Sequence, residues 1–274
     1  MATATHQFDL DSYLRRIGWT GEPRTDAATL RSVHRAHAMG IPFENIDPLL
    51  GSVPSLELTD LQAKMVHGRR GGYCYEHNTL LAAALKEIGF TVTILTGRVV
   101  AGASGKVLPR THMLLSVDVP GEETPFVADV GFGIEGGLLE AVPLRPCAGF
   151  RQFGRELRLD LEPQAGPSDR WVLRSRRDGN WETQYFFTLE PFEPVDIAVL
   201  NWHIATNPRS PARRLMHVHI TSPEAHTALT DRVLVEQRIE GAVSKRKLGG
   251  EEEVRAVLAD VFGIELPEGL HLPV

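Results

Sequence analysis

Apolar residues recur at three- and four-residue steps over Asp9–Ile17, where Leu10, Tyr13, Leu14 and Ile17 share a face, and again over Thr25–Met39 through Leu30, Val33, His34, His37 and Ala38. Both segments are predicted helices, the first with Asp9 or Asp11 near its N-terminal end, joined by the polar turn Gly21-Glu22-Pro23-Arg24. Leu58–Val66 repeats the pattern, and so does the run from Asn78, with Leu80, Leu81, Ala84, Leu85 and Ile88 inward and Gly89 as a stop. After that helix the periodicity changes. Thr91–Val100, Thr111–Val119, Phe126–Val130, Glu156–Leu161, Trp171–Ser175 and Trp181–Leu189 read as strands, with Gly102–Gly105 a loop and turns at Pro120-Gly121 and Asp178-Gly179-Asn180. Helical spacing returns between Pro191 and Pro208, with Ile197, Leu200, Asn201 and Ile204 as inward positions. Strand-like pieces follow at Met216–Ile220, Val233–Ile239 and Ala242–Leu248. A last helix begins after Gly250, with Glu251, Glu252 and Glu253 in its first turn and Gly263 at its stop. The order is helical, then antiparallel β, then mixed, which defines an α+β protein.

The 274 residues suffice for one large or two to three small domains, and 42% hydrophobic with 23% charged residues is an ordinary globular composition. A net charge of -6 gives no whole-molecule attraction to nucleic acid or to an anionic membrane. Met1–Leu10 lacks an apolar core, so neither a signal peptide nor a membrane span is expected there. Two cysteines, Cys74 and Cys147, are too few for a disulfide framework, which suits a reducing, cytoplasmic compartment. His34 and His37 lie one helical turn apart, but no carboxylate or cysteine at ligand spacing accompanies them; packing or surface histidines, and no metal, are expected.

Candidate chemistry concentrates at Arg70-Gly71-Gly72-Tyr73-Cys74-Tyr75-Glu76-His77-Asn78. Cys74 precedes or opens the first turn of a helix, where unpaired N–H groups carry roughly half a positive charge and favour a thiolate. The glycines allow a sharp turn, and Arg70 adds a cation nearby. The plain alternative is a buried, inert core cysteine. A thiolate nucleophile needs a base, and the base needs an orienting group. His112 at the start of one strand and Asp129 near the end of the next can meet beneath the cysteine helix, so Cys74-His112-Asp129 is a feasible catalytic set. Upstream, Ile41-Pro42-Phe43-Glu44-Asn45-Ile46 reads as a pinned loop, with Glu44 available to cap or to pair with Arg70.

Taken in order, Pro42-Phe43-Glu44-Asn45, Arg70-Gly71-Gly72-Tyr73-Cys74 with Glu76-His77-Asn78, Thr111-His112-Met113-Leu114-Leu115 and Asp129-Val130-Gly131-Phe132-Gly133 resemble the arylamine N-acetyltransferase family, of the bacterial, actinobacterial type. The general layout agrees over nearly the whole chain. The resemblance implies an N-terminal helical bundle over residues 1–90 carrying the nucleophile, a central antiparallel β-barrel over 91–190 carrying the histidine and aspartate, and an inter-domain helix with an α/β lid over 191–274. The core would be like that of papain and the transglutaminases. It implies that Cys74 takes an acetyl group from acetyl-coenzyme A and passes it to an arylamine or arylhydrazine in a ping-pong scheme, with His112 as base and Asp129 as its orienter. Backbone N–H groups near Cys74 would stabilise the oxyanion.

By the same resemblance Phe132, Phe43, Tyr75 and Val99 would wall the acceptor site, and Gly131, Gly133 and Thr111 would border the cofactor, with no metal. Partners would be the small-molecule amine and coenzyme A, without nucleic acid or membrane; a homo-oligomer is compatible with this. The chain departs from the family after Ser210, where many members carry an aromatic residue and Pro211-Ala212-Arg213-Arg214 stands here. These arginines read as a solvated turn or as contacts to cofactor phosphates. Two other activities use the same set: amide-bond closure on a carrier-bound or activated polyketide, and transglutaminase-like cysteine hydrolysis. Cys147, between Pro146 and Ala148, has no acid-base pair nearby in sequence and is read as structural or inert.

Overall fold

A computed structural model describes residues 8–103, 105 and 107–274. The reading of Met1–Leu10 as neither leader nor span rests mainly on residues outside that set, as does Ser104 in the Gly102–Gly105 loop. No helix among the described residues is long and apolar enough to cross a membrane.

Helix α1 (Leu10–Arg16) is capped by Asp9, whose carboxylate accepts from Ser12 N, and α2 (Ala27–Gly40) by Asp26, which accepts from Thr29 N. After strand β1 (Phe43–Glu44) and the short α3 (Ile46–Leu49), α4 (Leu58–Leu61) runs into a π-helical turn, Gln62–His67. Helix α5 (Cys74–Ile88) starts at the cysteine itself and stops at Gly89, whose φ of 111° requires glycine. Tyr13, Leu30, Val33, Met65, Leu80, Leu81 and Leu85 bring these helices into one core.

The sheet region is built from β2 (Thr91–Val99), β3 (His112–Asp118), β4 (Phe126–Ala128), β5 (Val142–Pro143), β6 (Ala148–Gln152), β7 (Arg155–Glu162), β8 (Arg170–Arg177) and β9 (Asn180–Phe187). Its eight strands lie in the order β5-β4-β3-β2-β9-β8-β7-β6, with every pairing antiparallel. Met113, Leu115 and Val117 of β3 join the helical core, while Leu114 faces a second core with Leu159, Leu173, Tyr185 and Phe187. A strand buried on both faces explains the unbroken Met113-Leu114-Leu115 run. The expected barrel is an open sheet: β5 and β6 are its edges, and no described pairing joins them. The two-residue β5 ends in Pro143, which has no N–H to donate, so that edge cannot extend the ladder.

Helix α6 (Pro194–Thr206), with proline at its first position, leads through a 3₁₀ turn at Pro211–Arg213 to a second sheet. That sheet holds β10 (His217–Thr221), β11 (Ala225–Thr230), β12 (Val233–Arg238) and β13 (Val243–Lys247), with α7 (Glu251–Phe262) packed through Val254, Val257, Leu258 and Phe262 on Met216, Val218 and Leu229. Its order, β1-β10-β11-β12-β13, places Phe43 opposite His219. The N-terminal segment thus supplies an edge strand to the C-terminal sheet. The helical core, in turn, takes residues from β3, β4 and Ile197 of α6, so the expected boundaries at 90 and 190 are crossed by shared packing.

Candidate active site

Cys74 occupies the first position of α5 and is partly exposed. Its turn is held by Glu76, whose Oε2 accepts the Tyr73 N–H at 3.1 Å. Glu76 Oε1 meets Lys64 Nζ at 2.7 Å; Lys64 also meets Asp47 at 2.6 Å, and Arg70 bridges Asp47 and Glu44. The Glu44 side chain is fully buried, and its Oε2 also accepts the Ile46 N–H at 2.7 Å. Arg70, expected as a cation near the sulfur and as a partner for Glu44, pairs with Glu44 and Asp47 and so anchors the glycine turn to the Phe43–Ile46 segment. Burial pushes the Glu76 carboxyl up to about 7 despite the opposing Lys64 charge. The same burial opposes charge on Lys64, but its three carboxylates prevail and raise its pKa.

His112 opens β3, and Asp129 follows the end of β4, whose Ala128 lies opposite Leu115. His112 Nε2 is 2.7 Å from Asp129 Oδ2, and both side chains are buried. The other carboxylate oxygen accepts from Asn78 Nδ2 at 3.1 Å and from Gly131 N at 3.0 Å, while Asp129 N donates to His34 Nε2 at 2.9 Å. Asn78 also donates to Met113 O at 2.8 Å and accepts from Val130 N at 3.1 Å, which ties α5 to both strands. Burial lowers the affinity of His112 for a proton, but the Asp129 charge and hydrogen bond, then the hydrogen bond and charge of Cys74, raise its pKa to about 10. Burial likewise opposes the Asp129 charge; His112, Asn78 and the Gly131 N–H outweigh it and hold the carboxyl below its ordinary value. With Nε2 committed to Asp129, Nδ1 is the nitrogen left for sulfur.

Phe132 and Tyr185 flank the imidazole, with centroids 5.5 and 5.1 Å from it. The Tyr185 hydroxyl is buried near enough to Asp129 for the carboxylate to oppose its ionisation, yet it makes no hydrogen bond of acceptable geometry. A side-chain carbon at Gly131 would stand 2.6 Å from Cys74 Cα, and one at Gly133 would stand 2.4 Å from the Phe43 ring, so packing within the site itself requires both glycines. Tyr75 is fully buried and donates its hydroxyl proton to the Thr111 carbonyl. Val99, half-buried in β2, lies opposite Tyr185. Arg213 donates to Pro48 O at 2.8 Å, while Arg214 is exposed. Asn45 binds the carbonyls of Ala212 and Leu215 and the N–H of His217, pinning the turn that departs from the family pattern. Cys147 is exposed.

Asn78 and the Lys64–Asp47–Glu76 cluster were not assigned roles by sequence reasoning. Asn78 stands four residues after Cys74, one helical turn along the same face, a spacing that could have marked it. Among the described residues no cluster of metal-ligating side chains occurs. The geometry provides a partly exposed sulfur at a helix start and a buried imidazole held by a carboxylate, the group types that nucleophilic cysteine chemistry uses.

A family model described as N-acetyltransferase matches residues 26–270. The arylamine N-acetyltransferase of Mycolicibacterium smegmatis is 40% identical over 94% of this chain and 92% of that protein. The crystal structure of the Nocardia farcinica arylamine N-acetyltransferase superposes with a TM-score of 0.89 at 39% identity, covering 95% of this chain and 91% of that one. The Mycobacterium marinum arylamine N-acetyltransferase in complex with CoA superposes with a TM-score of 0.85 at 34% identity, covering 93% of each.

Proposed function

From its membership of the arylamine N-acetyltransferase family, to which this chain belongs, we propose that it moves an acetyl group from acetyl-coenzyme A to an arylamine or arylhydrazine nitrogen through a thioester on Cys74. The observation that carries the reading is His112, held by Asp129 at 2.7 Å through Nε2, with Cys74 near enough to favour its protonated form.

In the first half-reaction the Cys74 sulfur attacks the donor carbonyl, the bond from that carbon to the coenzyme A sulfur breaks, and the departing sulfur takes a proton from His112. In the second, the amine nitrogen attacks the acetyl carbon and loses a proton to His112 as the Cys74 sulfur leaves. Asp129 keeps Nε2 protonated throughout, so Nδ1 is always the exchanging atom. Burial of this pair strengthens each electrostatic contact by excluding water. The donor set fits a thioester substrate, since the nucleophile and the leaving group are both sulfur and one imidazole serves both.

Phe132 and Phe43 form the apolar wall for the acceptor ring, with Val99 on the strand beside it and Tyr75 supporting Thr111 from behind. Thr111, Gly131 and Gly133 border the path of the acyl donor, and coenzyme A is bound as co-substrate. Initial rates with both substrates varied test the scheme: double-reciprocal lines run parallel, and coenzyme A is released in a stoichiometric burst without amine. Intersecting lines with no burst would replace it with direct transfer in a ternary complex.

A further inference from the structure

A cavity of about 230 Å³ lies between the Gly133–Glu135 segment and the inner face of the second sheet. Strand alternation puts His217 and His219 on that face, with Ala228 opposite His219 and Gln237 opposite His226. The other face carries Val218 and Leu229 against α7. The inner face is therefore polar where an apolar one would be the default for a buried sheet.

The histidines differ in how they are satisfied. His217 Nδ1 pairs with Thr230 Oγ1 and His226 Nδ1 with Thr221 Oγ1, both at 3.0 Å. Both ring nitrogens of His219 are buried without a partner. Its ring is stacked on Phe43 at 5.0 Å, and the Phe43 ring lies against Gly133, so the cavity and the acyl site share a wall. Burial disfavours protonation of His219, as do the neighbouring His226 and His217 and the Arg155 charge. A neutral imidazole offers one donor and one acceptor. The charges lining the cavity balance, since Glu135 sits 3.8 Å from Arg177.

We propose that this cavity receives a neutral hydrogen-bonding substituent on the far side of the aromatic acceptor, such as a carboxamide, hydrogen-bonded to one of the unpartnered ring nitrogens of His219. A carboxylate would bring an uncompensated charge into the cavity, because Arg177 is already paired with Glu135; an alkyl group would leave both His219 nitrogens without a partner. The volume suits a substituent rather than a whole ligand. The inference rests on the acetyl-transfer reading above.

The test compares para-aminobenzamide with para-isopropylaniline, which has a similar shape without polar atoms, in wild type and in His219→Phe, which retains a ring to stack on Phe43. The ratio of their kcat/KM values is read within each protein, so changes in active fraction or acylation rate cancel. The ratio falls about tenfold in His219→Phe, the worth of one buried hydrogen bond left unmade. Ala228→Val, which narrows the cavity from the opposite strand, lowers kcat/KM for para-aminobenzamide relative to aniline by a similar factor. Calorimetric binding of both amines to the unacetylated protein reads the cavity without any transfer, which separates failure of this inference from failure of the transfer scheme. An unchanged ratio in His219→Phe, or para-aminobenzoate losing more than the amide, overturns the proposal.

Discussion

Replacing Asp129 by asparagine changes little in shape but reverses one hydrogen bond. Oδ1 of the carboxylate already accepts from Asn78 and Gly131 at 3.1 and 3.0 Å, so the new amide keeps its carbonyl oxygen there and turns its NH₂ toward His112. Two donors cannot share a bond, so Nε2 of His112 becomes the acceptor and the proton moves to Nδ1, the nitrogen that must exchange protons with sulfur. The environment raises the imidazole from 6.5 to about 10, with Asp129 the leading stabilising cause. Converted to free energy, that shift is on the order of 5 kcal/mol for the imidazolium, an upper figure for what the substitution removes. The expected result is a loss of about a thousandfold in the rate of acetyl-enzyme formation. Rapid-quench mass analysis measures that rate, and a urea titration confirms that the variant is folded. Acylation within about threefold of wild type in a folded variant would refute the tautomer argument.

Four other outcomes follow from the same contacts. Asn78→Ala removes bonds to Met113 O, Asp129 and Val130 N together and should cost about 2–4 kcal/mol in urea unfolding, with slower acylation as well. Gly131→Ala forces a carbon to within 2.6 Å of Cys74 Cα; the expected result is impaired acylation and a stability loss of about 1–3 kcal/mol, read by the same two assays. Lys64→Met strips the buried carboxylates of a shared cation and should destabilise by about 3–5 kcal/mol, partly rescued by adding Glu76→Gln. Buried His34, His37 and His77 all have depressed pKa values, with His34 and His77 at about 4, so their stabilising contribution is present above 6.5 and is lost as pH falls toward 4. Glu76, raised to about 7, acts in the opposite sense between 4.5 and 7. His112, raised to about 10, acts in the same sense as Glu76, but these three histidines together with the depressed His217, His219 and His226 outweigh both, so the urea midpoint falls between about pH 7 and 5; a flat or rising midpoint would contradict it.

The helix start at Cys74 was legible because turn glycines, apolar spacing and the Gly89 stop are local signals, and the positions of His112 and Asp129 at strand ends followed from turn chemistry. What joins them was not. Strand β11 was missed because Ala225-His226-Thr227-Ala228 shows weak alternation, and β5 because two residues ending in proline give no pattern. The open edge of the first sheet depends on pairings between strands far apart in sequence. The pairing of Arg70 with Glu44 was legible as one option for that loop, whereas its second carboxylate, Asp47, more than twenty residues earlier, was not. The inward aim of His219 depends on its register opposite Phe43, which no local window contains.

Intact-mass analysis after brief mixing with acetyl-coenzyme A tests the central claim most directly. Wild type gains one acetyl group, Cys74→Ala gains none, and an arylamine discharges the adduct. Absence of the adduct in folded wild type, or its persistence in Cys74→Ala, would contradict the account.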